Sequence, residues 1–382
     1  MSASPDPARL AGLLARLVAL DTQNPPGQEE AAARMLAETL RACGFAVEVQ
    51  PVAEGRANVI ARCVNGAGAS FALNSHLDTV PVGTGWSSDP FRLVERDGRL
   101  YGRGACDAKG QVSAMAEAGR LLLAERGSWR GTLVLAFVAD EEINSTGAKA
   151  VAAAAPPDFV VIGEPTRNAV YAAHKGCVRP LIRVRGQAAH SGRPELGRNA
   201  IVAAAQLVQL LGERDAALRQ RHHPLVGHAS LTVSRIAGGI ADNIVPDSCE
   251  IVLDERVLPG TRLEDTLDAL RDLLRRARQD HGVEAELSEV RTAAGPAETP
   301  PDSPLLQAAL AASAAHGVTL PQPGGLTGGC DLVHFHAAGS VGIILGPGSL
   351  DQAHQPDEFV PKDDLVQAAL IYRDIARAML RP

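Results

Sequence analysis

The chain has 382 residues, a formal net charge of −7 and only 3% aromatic residues. Without a basic stripe and with few aromatic side chains, it lacks the electrostatic footprint and the stacking platforms of nucleic-acid-binding proteins, which we exclude as a class. A length above the ~250 to 300 residues of one hydrophobic core predicts a larger and a smaller domain.

Cysteine spacing and apolar runs predict a cytoplasmic protein with no membrane partner. The six cysteines are scattered and form no C-x-x-C pair, which indicates reduced thiols. The first residues, M-S-A-S-P-D-P, lack the basic segment of a signal peptide. No apolar run approaches the ~18 residues of a membrane span.

Helices and strands alternate through the first part of the chain. Asp6 followed by Pro7 is typical of a helix N-terminus, and leucines follow at the helical positions 10, 13, 14 and 17. A second helix is predicted from about 28 to 43, ending at Gly44. The runs predicted to be strands are 45–50, 58–63, 70–78, 132–139 and 159–163.

After residue 177 the pattern changes to an alternation of apolar and polar residues. The runs 177–186, 228–239 and 249–258 have the period of strands with one solvated face. Helical spacing appears at 199–211 and 263–277. These elements predict a small α+β domain.

The chain therefore divides into a catalytic domain in two parts, 1–177 and 292–382, with an inserted domain at 178–291. A Pro-rich return linker is predicted over 292–304. The second part then adds a strand at 341–345 and a closing helix at about 362–380.

Histidines and acids follow four of the apolar runs. His76 and Asp78 end the third strand, Glu141 and Glu142 follow the fourth, Glu164 follows the fifth, and His354 comes after the strand at 341–345. In an open α/β sheet, ligands bind outside the carboxyl ends of the strands. The sequence therefore predicts a metal site at that edge.

Asp107 lies in the glycine-containing segment Y-G-R-G-A-C-D-A-K-G, just ahead of a predicted helix that ends near Gly127. One interpretation is a helix N-cap, for which aspartate is a common choice. The other is a metal ligand shared with the strand-end residues, which need a common partner.

Two imidazoles and three carboxylates form the candidate ligand set, His76, Asp107, Glu142, Glu164 and His354. Zinc binds histidine nitrogen and carboxylate oxygen, and catalytic zinc sites keep one position open. With one bridging carboxylate, the set can hold two ions ~3.5 to 4 Å apart, which activate water and polarise a carbonyl. We expect two divalent ions, zinc in the first place and cobalt as the alternative.

Asp78 and Glu141 are candidates for supporting roles. Asp78 can accept from the second ring nitrogen of His76, as metal-bound histidines require, or it can be a solvated turn residue. The side chains of Glu141 and Glu142 diverge, so one is expected to be a ligand and its neighbour a general base. A solvated acidic turn is the alternative.

Six segments resemble the family of dinuclear-zinc aminoacylases, acetylornithine deacetylases and succinyl-diaminopimelate desuccinylases. They are S-H-L-D-T-V-P, Y-G-R-G-A-C-D-A-K-G, D-E-E, I-G-E-P-T, G-Q-A-A-H-S-G and G-P-G-S-L-D-Q-A-H-Q-P-D-E, in this order along nearly the whole chain. The resemblance implies a zinc-exopeptidase-like mixed sheet flanked by helices, with an inserted α+β dimerisation or lid domain, and a homodimer.

The resemblance also implies residue roles. Asp107 would bridge the ions, and Asp78 would orient His76. Glu141 would be the general base. His190 would enter the site from a partner subunit and donate to the substrate carbonyl. The ligands of the first zinc would be His76 and Glu164, and those of the second Glu142 and His354.

Four residues are candidates for substrate binding. Arg256 can hold a carboxylate through its planar fork, or pair with Asp254 or Glu255 on a strand surface. Gly328 and Gly329 can offer backbone N–H groups to an anion, or form a tight turn. Asn243 resembles a family position that contacts substrate, but is also an ordinary turn residue.

The expected reaction is cleavage of the amide of a small N-acyl amino acid, with N-acetylornithine first. A-H-K-G at 173–176 and L-D-E-R-V-L-P-G at 253–260 resemble acetylornithine deacetylases. T-G-G-C-D-L at 327–332 departs from them and resembles the succinyl-diaminopimelate and general amidase branches. A desuccinylase or dipeptidase is therefore the alternative enzyme, and a metal-bound protein without turnover is the alternative outside the enzymes.

Overall fold

A computed structural model describes residues 4–320 and 322–381. The chain forms two compact units. Unit 1 contains the described residues of Met1–Ala172, Thr299–Gly324 and Cys330–Pro382, and unit 2 contains Ala173–Glu298 and Gly325–Gly329. The chain passes from unit 1 to unit 2 after residue 172 and returns to unit 1 after residue 298. Residues 325–329 belong to unit 2 as well.

Helices occur in both units. Within the described residues they are α1 Pro7–Val18, α2 Glu30–Cys43, α3 Lys109–Ala124, α4 Thr146–Ala154, α5 Ala200–Leu218, α6 Leu263–His281, α7 Pro304–Ala315, α8 Leu332–Ala337 and α9 Lys362–Met379. The strands are β1 Ala46–Ala53, β2 Arg56–Asn65, β3 Ser70–His76, β4 Val94–Arg96, β5 Arg99–Tyr101, β6 Gly131–Val138, β7 Phe159–Ile162, β8 Tyr171–His174, β9 Gly176–Arg185, β10 His222–His223, β11 Gly227–His228, β12 Ser230–Gly238, β13 Ser248–Val257, β14 Ala285–Ala294, β15 Ala297–Glu298, β16 Gly324–Leu326, β17 Val341–Ile344 and β18 Phe359–Pro361.

The large mixed sheet has the order β1-β2-β6-β3-β7-β17-β8-β15. Its centre is parallel, because β3 pairs in parallel with β6 and β7, and β17 pairs in parallel with β7. The outer pairs β1–β2 and β2–β6 are antiparallel. The carboxyl ends of four neighbouring strands therefore meet at one edge of the sheet.

Helices of unit 1 cover this sheet and bury its core. α3 packs against β3 and β6, and against α1 and α9. The predicted cap of α1 is confirmed, because the Asp6 side chain accepts from the backbone N–H groups of Ala8 and Arg9. The predicted leucine face of this helix is also confirmed as buried.

Unit 2 contains an antiparallel sheet of order β12-β13-β9-β14, with α5 and α6 packed on it. Inward-facing strand residues such as Ile182 and Ile251 pack in one cluster with Leu207 and Leu274 of the helices. The predicted α+β character is confirmed. The linker prediction is wrong at 292–294 and 297–298, which are strand residues, because backbone pairing to β9 and β8 orders small side chains that have no strand pattern.

No helix among residues 4–320 and 322–381 has the length and apolar character needed to cross a membrane.

We expect Asp6→Ala to lower the free energy of unfolding by ~1 kcal/mol, because two N–H groups at the start of α1 lose their acceptor. Denaturant unfolding followed by circular dichroism measures the change. Asp6→Asn is the control, since the amide oxygen still caps the helix and should leave stability nearly unchanged. Equal losses in the two variants would contradict a capping role.

Candidate metal centre

The parallel strands bring the predicted ligands to the same edge of the sheet. β3 ends at His76, which pairs with Val138 at the end of β6 and so lies beside the segment that carries Glu142. Glu164 follows β7 by two residues. The loop before α3 adds Asp107. Backbone pairing thus assembles residues that are distant in sequence.

Asp107 lies between the two histidines. Its Oδ1 is 3.1 Å from His76 Nε2, and its Oδ2 is 3.3 Å from His354 Nε2. Glu142 Oε1 is also 3.3 Å from His354 Nε2. A carboxylate with one oxygen toward each imidazole has the arrangement expected of a ligand shared by two ions.

The N-cap interpretation of Asp107 is wrong. α3 begins at Lys109, and its N-cap residue, Ala108, makes no side-chain capping hydrogen bond. The peptide bond between Asp107 and Ala108 is cis. The carboxylate of Asp107 instead contacts the histidines.

The donor set fits divalent cations. One ligand atom from each of His76, Asp107 and Glu142 lies within 4.8 Å of the others. Glu164 Oε1 is buried and has no hydrogen-bond partner among the described residues. Burying such oxygens unpaired is unfavourable, and a cation bound by nitrogen and carboxylate ligands relieves it. Two imidazoles and three carboxylates match the chemistry of a zinc pair.

The carboxylates of the site repel one another. Burial, followed by repulsion from Glu164, raises the pKa of Glu141 well above its ordinary value. Burial, followed by repulsion from Asp107, does the same to the pKa of Glu164. Burial also raises the pKa of Glu142, although His354 opposes this. The protein groups alone leave excess negative charge here, and bound cations would compensate it.

The pKa values of the two histidines are also raised, in their case by the neighbouring carboxylates. Burial alone would lower the pKa of His76, but hydrogen bonds to Asp107 and Asp78 outweigh it and raise the pKa well above the usual range. Contacts with Asp107 and then Glu142 raise the pKa of His354 to about 10. Burial would raise the pKa of Asp107, yet the two histidines hold it below its ordinary value.

Asp78 supports both His76 and the acidic pair. Its backbone oxygen is 3.0 Å from His76 Nδ1, and its Oδ1 is 3.5 Å from the same nitrogen. Its Oδ1 and Oδ2 also accept from the backbone N–H groups of Glu141 and Glu142, each at 3.1 Å. One buried carboxylate therefore fixes the histidine and the backbone of the neighbouring acids.

Asn24 and Asp331 belong to the surroundings of the site, and the sequence did not identify them. Asn24 Nδ2 donates to Asp78 Oδ2 at 2.8 Å and to Asp140 Oδ1 at 3.0 Å. Asp331 is buried, accepts from Asn74 Nδ2 at 3.4 Å, and has its pKa raised to about 6 by burial. Asp331 lies in T-G-G-C-D-L, the segment that differs from acetylornithine deacetylases, and this difference could have pointed to it. Asn24 lies in a proline-rich turn, and no motif in the sequence pointed to it.

Unit 2 brings His190 and Asn243 together. Ser191 N donates to the backbone oxygen of Asn243 at 3.0 Å, and His190 forms a β-bridge with Ile244. His190 is exposed, and its Nδ1 accepts from Gly192 N at 3.0 Å. A neutral ring in this position carries its hydrogen on Nε2 and can donate from there.

The other substrate-binding candidates in unit 2 are placed as follows. Arg256 pairs with Asp254, with 2.7 Å between Nε and Oδ1. A Cβ atom added at Gly328 would meet nothing within 4 Å, and one at Gly329 would make an ordinary contact of 3.5 Å with Lys175 O. Neither glycine is thus required for space, and substrate binding by these residues stays a prediction.

Residues 72–378 match the model of Peptidase family M20/M25/M40. The chain belongs to this family of hydrolases. Acetylornithine deacetylase of Proteus mirabilis (strain HI4320) is 34% identical over 339 residues, which cover 87% of this chain and 85% of the relative. Acetylornithine deacetylase of Vibrio vulnificus (strain CMCP6) is 34% identical over 345 residues, which cover 87% of each chain. The family resemblance of the motifs is confirmed.

Solved structures of two peptidases share the fold. Aminopeptidase PepT from Bacillus cereus superposes with a TM-score of 0.79 at 21% identity, over 98% of this chain and 99% of that chain. YXEP from Bacillus subtilis, a dinuclear metal binding peptidase, has a TM-score of 0.75 at 19% identity, over 98% of each chain. The predicted mixed sheet with flanking helices and a smaller α+β part is confirmed.

We expect Glu141→Gln to keep its full complement of bound metal while losing ~10²- to 10⁴-fold in hydrolysis rate, because a proton carrier is removed and no ligand is touched. Metal analysis beside steady-state kinetics measures both quantities. Glu142→Gln is the matched control, one residue away, and should lose metal. Loss of one metal equivalent in Glu141→Gln instead would reverse the two assignments.

Proposed function

We propose that this M20 hydrolase removes the acetyl group of N-acetylornithine, a step that serves arginine biosynthesis. The observation that carries the proposal is the 34% identity to acetylornithine deacetylases over 87% of the chain. A small amino acid with an acylated nitrogen is the corresponding substrate class. Among the described residues all six cysteines are free, which supports a cytoplasmic location.

We assign the metal site to the five candidate ligands, His76, Asp107, Glu142, Glu164 and His354. His76 and Glu164 would hold one ion, Glu142 and His354 the other, and Asp107 would bridge them, with zinc preferred and cobalt as the alternative. When bound, such ions polarise a carbonyl and lower the pKa of water. The buried, unpartnered Oε1 of Glu164 and the contact between Glu142 and His354 support this assignment.

The residues beside the ligands would move the proton. Glu141 would accept a proton from the attacking water and return it to the leaving amine nitrogen. Its backbone is anchored by Asp78, the same side chain that anchors Glu142, so base and ligand have a fixed relative position. This anchoring would keep the base within reach of the reacting atoms, as general base catalysis requires.

We further propose a homodimer in which His190 serves the site of the partner chain. The available Nε2–H of His190 would donate to the carbonyl oxygen as negative charge develops on it. β12 is an edge strand of the unit 2 sheet, and Ile236 and Ile240 nearby are 49% and 86% exposed. An unpaired edge beside exposed isoleucines supports pairing across a two-fold axis.

A desuccinylase is the second candidate, favoured by the segment T-G-G-C-D-L at 327–332. Turnover of N-acetylornithine, N-succinyl-diaminopimelate and a dipeptide, with and without a chelator, separates the candidates. We expect chelator-sensitive hydrolysis with the highest kcat/KM for N-acetylornithine. A higher value for the succinyl substrate would favour the second candidate, and bound metal without turnover of any of the three would contradict an enzyme.

Mixing His190→Ala chains with Glu141→Gln chains should restore about a quarter of the wild-type activity. With random exchange into two-fold dimers, half of the dimers are mixed, and each of these has one site with both groups intact. Steady-state assays before and after exchange measure the recovery. Glu141→Gln chains mixed with the double variant are the control, because no intact site can form. Absence of recovery in a mixture with demonstrated exchange would contradict a composite site.

A further inference from the structure

Glu358 lies four residues after His354, and its buried carboxylate contacts the loop that carries Asp107. Its side chain is only 1% exposed. Oε1 accepts from the backbone N–H groups of Cys106 and Asp107, at 2.8 and 3.0 Å. The backbone oxygen of Glu358 accepts from Gly102 N at 3.0 Å. One residue therefore holds both ends of the segment 102–107.

The second oxygen of Glu358 contacts Arg103, which extends the connection to a third loop. Arg103 Nη1 is 2.5 Å from Glu358 Oε2, and the Arg103 side chain is 2% exposed. Its Nη2 donates to the backbone oxygens of Pro81 and Val82, at 3.3 and 3.5 Å. The guanidinium also lies over the ring of Trp86, 5.1 Å from its centroid.

The ion pair connects three loops, and each of them contains or directly follows a candidate ligand. Residues 77–90 follow His76, residues 102–108 contain Asp107, and residues 346–358 contain His354. Most of the hydrogen bonds of the pair go to backbone groups, so they fix the path of each loop. A close approach also joins two of these loops, since a Cβ atom at Gly348 would come within 2.6 Å of Cys106 Sγ.

We propose that Glu358 and Arg103 are positioning residues, which set the spacing of Asp107 and His354 and thereby the affinity of the protein for its metal ions. This inference rests on the metal site of the proposed function. Neither residue belongs to the candidate ligand set, and their effect is transmitted through the backbone. The ion pair is buried, so removing either partner would leave the other charge without compensation. Each partner therefore holds the other in place against the loop backbones.

Glu358→Gln tests the inference. The substitution keeps the size of the side chain, but its NH₂ group must face either the two backbone N–H groups or the guanidinium, so that donor meets donor. Removing partners outside the ligand shell typically lowers metal affinity ~10- to 100-fold, and we expect a loss in that range. Competition between the metal-free protein and a chromogenic zinc chelator measures the affinity without reference to activity.

Glu117→Gln is the matched control. Glu117 is also buried, and it accepts from the backbone N–H of Asp6 at 3.0 Å, from Arg9 Nε at 2.8 Å and from Arg120 Nη2 at 2.8 Å. It has the same kind of partners but lies on α3, away from the three loops. We expect both variants to unfold at a lower temperature than the wild type and only Glu358→Gln to lose zinc affinity.

Arg103→Lys provides a second test if Glu358→Gln does not fold. It keeps a positive charge near Glu358 but cannot reach the backbone of Pro81 and Val82 with the same fork, so zinc affinity should again fall. Wild-type zinc affinity in a folded variant of either position, or an equal loss in Glu117→Gln, would overturn the positioning role. A wild-type chain that binds neither zinc nor cobalt would instead overturn the proposed metal centre, and this inference with it.

Discussion

The parallel pairing of β6, β3, β7 and β17 is the constraint on which the site depends. Backbone hydrogen bonds hold these strands side by side, so the residues that follow them cannot separate. The acids at these positions therefore lie closer together than their charges alone would allow. Burial raises the pKa values of Glu141 and Glu164, and repulsion between the carboxylates raises them further. The fold in this way creates a concentration of negative charge that suits divalent cations.

Support for the site comes largely from backbone groups. Asp78 accepts from the N–H groups of two successive acids, and Glu358 accepts from those of Cys106 and Asp107. In both cases a buried carboxylate fixes a loop through backbone N–H groups and makes no use of the side chains of the residues that it holds. Such an arrangement leaves the candidate base and ligands free for water, substrate and metal while their positions stay defined.

The two units have different relations to function. Unit 1 contains every residue of the candidate metal set. Unit 2 contains His190 and Asn243, which its loops bring together, and it contains the exposed isoleucines beside an edge strand. In the proposed dimer, the metal chemistry and the donation by His190 come from different chains. Assembly would then be a condition of activity as well as a contribution to stability.

The sequence by itself determined many of the helices and strands and named most residues of the candidate site, because those properties depend on local patterns. The Asp6–Pro7 start of α1, the alternation of strands in unit 2 and the acids at strand ends are all visible within a few residues. The motif resemblance then implied which of these acids are ligands and which one is the general base. The tertiary structure excluded the helix-cap interpretation of Asp107, and it placed Asn24 and Asp331 beside the candidate site. It also decided the pairing of Arg103 with Glu358, 255 positions apart in the chain. A contact of that separation is set by how the loops pack on the sheet, and no local pattern in the sequence encodes it.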